Sequence, residues 1–505
     1  MSKIHNILRN GIYSVVYLAF TTILTIIIRK LFVVYFPIEF LGINGLYSNI
    51  LGLLSLADLG IASIINYNLY QELTKKDNEQ INKLMSIYQR LYLVIGIFVF
   101  FIGIIFYFLL PFFIKEKDIP WLYVKVVYII QLLSTVSTYF LAYRRTLLIT
   151  DQKEYVCVKI DTVFLFIKNI LLVISIVVFK NFILYSSIGL VTNLLANLII
   201  YHRCGKEYAF LKKTPVSKVD LKKLHLFKDI KYLLIGKIGG LVYFNTDNII
   251  ISSILGLGIT GINSNYVMVD RCVNSFVTSA MKGITPTIGN IIYSDDKNLV
   301  YDLYKKIDFI YILVASILAS GYLTCFQPFI TLLFGENYLL PYGYVICLSI
   351  NTALAIQFQA ACDFRSTYGK FENDSKYFLF SAITNLIASI IFVKFWGIIG
   401  IIIGTILGLC FILYSRIQFV YRIIFNQSFV KYLLHHLLYT ILMALELCGV
   451  KFVCELITVN NWATWILRGI VSTVLILVLQ VITYLPIKSF RELIKYIRNK
   501  VIKRK

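Results

Sequence analysis

Charged residues are scarce in this chain: Asp, Glu, Lys and Arg make up 15% of its 505 residues, against 59% hydrophobic. Soluble domains carry about 25% charged residues, so the composition argues against a water-soluble enzyme. Carboxylates are the scarcer sign, 26 against 49 Lys and Arg. Histidine is rare, and the nine cysteines show no paired spacing of the metal or redox kind. His5, His202 and His225 fall in connections and His435 with His436 at a span entrance, so no metal site is expected. Long loops are missing too: Lys115 to Pro120 and Gly335 to Pro341 are typical of the outer connections. None can fold into a catalytic domain. The inner connections are too short for an ATPase domain and hold no Gly-rich phosphate loop, so no cofactor is expected and any transport is passive or gradient-driven.

What the chain has in quantity is apolar sequence. About 14 runs are long enough to cross a hydrocarbon core at ~20 residues per helix. They fall near 11–34, 41–65, 91–114, 121–143, 160–179, 182–201, 232–255, 259–285, 307–334, 343–364, 377–395, 397–419, 433–457 and 463–485. Backbone groups find no water in a bilayer core, so these spans are expected to be helices. Met1 to Asn10 is short and weakly basic with no cleavage pattern behind it, so the first span is expected to stay in the mature protein. With the N-terminus inside, the inner connections and tails hold about 35 of the Lys and Arg and the outer loops three, which predicts both termini in the cytoplasm. The net charge of +23 therefore points to anionic lipid head groups along 203–231 and 488–505, not to nucleic acid.

A short self-match organises the spans. Gly42-Ile43-Asn44-Gly45-Leu46-Tyr47-Ser48-Asn49 opens span 2, and Gly258-Ile259-Thr260-Gly261-Ile262-Asn263-Ser264-Asn265 opens span 8, six spans later. These two spans are also the most polar: span 2 carries Asn44, Ser48, Asn49 and Asp58, and span 8 carries Asn263, Asn265, Asp270, Arg271 and Asn274. Helices so polar should face protein or a wet cavity. The expected fold is an all-α integral membrane protein of about 14 helices, with two parallel six-helix repeats and two extra C-terminal helices. Its parts are an N-terminal half over 1–201, a basic linker over 202–231, a C-terminal half over 232–419, two further spans over 433–485 and a basic tail over 486–505.

Ionised side chains inside the membrane are costly and mark candidate sites. Arg29 and Lys30 sit near the outer end of span 1, where they either snorkel to head groups or ring the mouth of a cavity. Lys237, near the inner end of span 7, has the same two readings. Arg271 and Lys168 lie near mid-depth, each either paired with a carboxylate or facing a substrate. Asp58 and Asp247 are the expected partners, or else ion-coupling groups, and Asp270 is a further carboxylate of that kind. Glu446, Lys451 and Glu455 can be satisfied locally, since the last two are four residues apart on one helix. Together the internal cations suit an anionic cargo such as a diphosphate.

Several strings carry a resemblance: Leu54-Ser55-Leu56-Ala57-Asp58-Leu59-Gly60, the run Tyr143 to Tyr155 with its Asp151-Gln152-Lys153-Glu154-Tyr155, and Asn245-Thr246-Asp247-Asn248-Ile249-Ile250-Ile251. With the 14-span layout, the whole chain resembles polysaccharide repeat-unit flippases of the Wzx type, in the superfamily that also holds MATE-like multidrug exporters and the lipid II flippase. The resemblance implies passage of a polyprenyl-diphosphate-linked oligosaccharide between leaflets of the cell membrane, the two halves rocking around a central cavity while cations engage the diphosphate. It also implies a place beside glycosyltransferases and a polymerase that make capsule or exopolysaccharide. Two other readings remain: an ion-coupled drug or cation antiporter of the same fold, which favours an anionic cavity, and a glycan polymerase or ligase, which needs a larger outer loop.

Overall fold

The computed structural model describes residues 20–54, 61–116, 119–212, 214, 236, 238–281, 283–293, 296–368, 372–487 and 490–491. Among them there is no strand, and the chain divides into two compact units, Met1–Ser264 and Asn265–Lys505. Unit 1 contains α1 (20–35), α2 (Ile38–Leu54), α3 (Ile61–Lys75), α4 (Asn78–Phe113), α5 (Trp121–Thr150), α6 (Glu154–Ile174), α7 (Phe182–Glu207), α8 (238–245) and α9 (Asp247–Leu255). The division falls inside α10 (Leu257–Met281). Unit 2 continues with α11 (Ile284–Ile291), α12 (Lys297–Phe334), α13 (Tyr342–Gln357), α14 (Gln359–Tyr368), α15 (Glu372–Trp396), α16 (Ile398–Phe419), α17 (Phe429–Glu455) and α18 (Trp462–Tyr484).

Ten described stretches are long and apolar enough to cross a membrane, and α13 with α14, bent by 44°, makes an eleventh if counted as one span. Three more were expected. The stretches 11–34 and 41–65 lie partly outside the described residues, and α10, long enough at 25 residues, is made polar by Asn263, Asn265, Asp270, Arg271 and Asn274. Exposed apolar side chains follow helical spacing. On α4, Val94, Phe98, Phe101, Ile105, Phe108 and Phe112 recur every three or four residues and form a lipid-facing stripe, while Tyr88, Tyr92 and Val99 are buried.

Local chemistry sets the helix ends. The Asp77 carboxylate accepts from the backbone N–H groups of Glu79 and Gln80 at the start of α4, and Asp296 does the same for Asn298 and Leu299 at the start of α12. Pro120 and Pro341 directly precede α5 and α13. The same pairs recur in the two units, but at a register different from that of the sequence self-match. The buried Tyr47 hydroxyl donates to the Val124 carbonyl just after Pro120, and the buried Tyr266 hydroxyl accepts from the Leu340 N–H just before Pro341. Gly42, Tyr47 and Asp77 each lie 219 residues before Gly261, Tyr266 and Asp296. The match therefore starts at Gly261, three residues later than the alignment on Gly258.

Within unit 1 the two glycines meet. A β-carbon on Gly42 overlaps the Leu257 carbonyl, and one on Gly261 overlaps that of Ile38. This backbone approach closes a ladder of buried amides: Asn248 Nδ2 donates to Asn49 Oδ1 at 3.1 Å, and Asn263 Nδ2 donates to Asn248 Oδ1 at 3.0 Å. Each such group left unsatisfied costs about 1–3 kcal/mol. In unit 2, α15 and α16 pack through small residues in the same way. Ser381 Oγ donates to the Gly408 carbonyl at 2.8 Å, Ser389 Oγ reaches that of Ile401, and a β-carbon on Gly404 overlaps Ser389. Gly404→Leu is expected to lose about 1–3 kcal/mol through overpacking, whereas Gly321→Ala, with open space around it, is neutral. Melting midpoints of the two variants in detergent check this; equal midpoints would show that α15 and α16 tolerate separation.

Candidate functional site

Unit 1 contains an open cavity of about 680 Å³. Five helices each contribute one face at i, i+3, i+4 spacing: Thr25, Ile28, Arg29 and Phe32 from α1; Leu41, Asn44, Ser48, Leu51 and Gly52 from α2; Gln131, Ser134 and Thr135 from α5; Leu165, Lys168, Asn169 and Leu172 from α6; and Tyr185, Ser186, Gly189, Leu190 and Asn193 from α7. Amides and hydroxyls tie the wall together. Gln131 Nε2 donates to Asn44 Oδ1 at 2.8 Å, Thr135 Oγ1 donates to the Gln131 carbonyl at 3.0 Å, and Asn193 Nδ2 donates to Ser134 Oγ at 3.4 Å. Next to Phe32 and Tyr185 the wall is aromatic: Phe32 and Phe36 pack on each other and on Phe182 and Tyr185, and Phe40 stacks on Phe182 at 4.4 Å.

Arg29 and Lys168 are the charged residues of this lining, which holds no Asp or Glu among its described residues. Both are half-buried. Among the described residues Lys168 forms no ion pair. The structure thus brings two of the expected cations into one chamber. Lys30 is half-buried and outside the lining, and Arg271 is exposed on α10. Asp247 opens α9, half-buried, and Asp270 accepts a hydrogen bond from the Tyr322 hydroxyl at 2.6 Å. Lys237 and Asp58 lie outside the described residues. Asn44 and Ser48 stood out in the sequence. Gln131, Ser134 and Thr135 of α5 and Ser186 and Asn193 of α7 were missed, although their helical spacing was a usable signal.

The string from Tyr143 to Tyr155 has a different use. Arg145 forms a two-pronged pair with Asp161, 2.7 Å on each arm, and Arg144 stacks on Tyr201 while donating to its carbonyl at 3.0 Å. After α5 the chain turns through Gln152 at φ 59°. Lys153 then bridges Asp151 at 2.7 Å and Glu207 at 3.1 Å, and the Tyr208 hydroxyl donates to Asp151. These contacts clamp the α5–α6 turn to the end of α7.

Burial alone would raise the Asp151 pKa, but the hydrogen bonds from Lys153 and Tyr208 outweigh it and hold the carboxyl below its ordinary value. The bond to Asp151 is the main cause that raises Lys153. A carboxylate with a lowered folded pKa stabilises above its unfolded value of about 3.9 and loses that contribution as pH falls through the folded value. A raised lysine contributes below about 10.4 and loses its contribution as pH rises through its folded value. Asp151→Asn is therefore expected to destabilise by about 1 kcal/mol throughout pH 5–9, with the gap closing in acid below about pH 4. Melting curves of wild type and variant across pH check this; a gap that persists in acid removes the ion pair as its cause.

No protein-family model matches the chain, and no curated protein matches its sequence. Solved structures do. The lipid II flippase MurJ in an inward closed conformation superposes with a TM-score of 0.66 at 15% identity, covering 92% of this chain and 97% of that one. An inward-facing multidrug resistance MATE family transporter of the MOP superfamily superposes with a TM-score of 0.57 at 13% identity, covering 79% of this chain and 94% of that one. At these identities the likeness is one of fold: the chain is a multi-pass membrane protein that shares the helical fold of these two solved structures.

Proposed function

We propose that this protein is a flippase of the Wzx type, moving polyprenyl-diphosphate-linked oligosaccharide repeat units from the cytoplasmic to the outer leaflet of the cell membrane, with both termini inside. The observation that carries the proposal is the pairing of Arg29 and Lys168 in a polar chamber whose described lining has no carboxylate. A diphosphate brings at least two negative charges that hydrocarbon cannot solvate. Two cations held among amides and hydroxyls offset that desolvation, and the guanidinium adds a planar fork matched to phosphate oxygens. The sugar hydroxyls find Asn44, Ser48, Gln131, Asn169 and Asn193 as partners. Arg271, exposed on α10, Lys30 and Lys237 are further cations for the diphosphate's passage. Asp58, Asp247 and Asp270 are the carboxylates assigned to pairing or ion coupling.

The fold shared with a lipid II flippase supports this reading, and the neighbouring MATE transporter keeps a drug antiporter as the second one. A cationic drug is repelled by a chamber of net positive charge, which ranks the flippase first. Glycosyltransferases and a polymerase acting on the same repeat unit are the expected pathway partners.

The test is the leaflet distribution of polyprenyl-diphosphate oligosaccharide in depleted cells complemented with variants. Arg29→Ala with Lys168→Ala is expected to leave the intermediate in the cytoplasmic leaflet and lower export by about tenfold or more, the factor for 1.4 kcal/mol, while Arg29→Lys retains most of it. Normal export at equal abundance would falsify the assignment of this chamber. Accumulation in the outer leaflet on depletion points instead to a polymerase or ligase.

A further inference from the structure

Unit 2 contains a second polar pocket, of about 480 Å³, at the end of the unit where α12 and α17 begin. It is lined by one face of each: Tyr301, Lys305, Asp308 and Phe309 on α12, and Ser428, Lys431, Tyr432, His435, His436 and Tyr439 around the start of α17. The arrangement of charge is asymmetric. Asp308, 7% exposed, is fully engaged: Oδ1 accepts from the Tyr432 hydroxyl at 2.9 Å and Oδ2 from His436 Nε2 at 2.8 Å. Gln357 Nε2 lies 3.2 Å from His436 Nδ1 and 3.1 Å from Thr440 Oγ1, so the imidazole is held on both of its nitrogens. The carboxylate thus forms a closed floor. Lys305 and Lys431 face the same pocket and make no ion pair among the described residues; Lys305 lies 4.8 Å from the centre of the Tyr301 ring. Ser428 Oγ accepts from the Val430 N–H that it caps, so its hydroxyl proton is left to donate.

Depth identifies what such a pocket meets. α12 has 38 residues, about 57 Å, nearly twice a hydrocarbon core of ~30 Å, so its first turns stand at or beyond the head-group level. Lys305 lies just before the apolar run that starts at Ile307, and Lys431 lies in the first turn of α17. Below them Leu434, Leu438, Ile441 and Leu445 form an exposed apolar stripe along α17, at the spacing of one helix face. Phosphate-level cations above an acyl-level stripe match a membrane phospholipid.

We propose that this pocket of unit 2 binds the phosphate of an anionic phospholipid head group, with Lys305 and Lys431 as its cations, Ser428 as a donor and the acyl chains along the α17 stripe. The site is separate from the unit 1 chamber and independent of the proposed cargo. It makes occupancy, and with it the packing of α12 against α17, responsive to the anionic lipid content of the membrane.

Titration of phosphatidylglycerol into the full-length protein in a neutral detergent, read by its melting midpoint, tests this. Each lysine near a membrane surface contributes a factor of roughly 5, so Lys431→Gln is expected to weaken the response about 5-fold and Lys305→Gln with Lys431→Gln about 30-fold. Lys394→Gln, an exposed lysine on α15, leaves it unchanged. Phosphatidylcholine and inorganic phosphate shift the midpoint equally little in all of them. An undiminished phosphatidylglycerol response in the double variant overturns the proposal, as does a response reproduced by inorganic phosphate, which marks a soluble-anion site. If the double variant melts without a cooperative transition, lipid retained by wild type and Lys431→Gln in native mass spectrometry decides: equal retention of phosphatidylglycerol overturns the site.

Discussion

A polar side chain inside a bilayer must find its partner within the protein, and in unit 1 that requirement is met by bringing α2 against α9 and the start of α10 at backbone distance. Gly42 and Gly261 permit the approach, and the amides of Asn49, Asn248 and Asn263 close once it is made. The consequence reaches the chamber. Gly42, Gly45 and Asn49 share one face of α2, so the adjacent face, with Leu41, Asn44, Ser48 and Leu51, is turned toward the cavity. Rotation of α2 would expose one set of amides to lipid and break the other.

The same accounting separates basic residues that hold the fold through ion pairs from Lys168, which forms none among the described residues. Arg145 has a two-pronged carboxylate partner, and Lys153 has two carboxylates and a phenol. They lie in the string that looked most family-like, and their work is to fasten the α5–α6 turn to α7. Lys168 stands among neutral polar groups. On the proposed reading an ammonium placed there meets water in the empty chamber and an anion in the loaded one, a condition a structural pair does not need.

The parts legible in the sequence follow from these physical rules. Apolar run length located most spans, because the bilayer thickness leaves few alternatives. The depth of Arg29 and Lys168 marked them as candidates beside snorkelling or pairing alternatives, and only the structure brings both into one lining. Lys451 reaches Glu455 at 3.6 Å, as their spacing on one helix implies. The repeat was visible but slipped by three residues. Gly258-Ile259 and Gly261-Ile262 offer the same dipeptide twice, and only the buried tyrosines and the Asp77 and Asp296 caps fix which frame is structural. Contacts between distant segments, such as Asp308 with His436, have no local pattern that announces them.

The two proposed sites, one in each unit, differ in how a cation is accommodated. In the unit 1 chamber, desolvation is offset by confining the cations among amides, and only a ligand that brings its own charge into the membrane completes the balance. At the ends of α12 and α17 the lysines are near bulk water, so a bare cation there costs little and attracts little, unless an apolar surface beside it adds area to the charge. The exposed leucines of α17 supply that surface. On the proposed reading the unit 1 chamber suits a diphosphate, where charge must be matched, and the pocket at α12 and α17 a lipid phosphate, where charge and hydrocarbon act together.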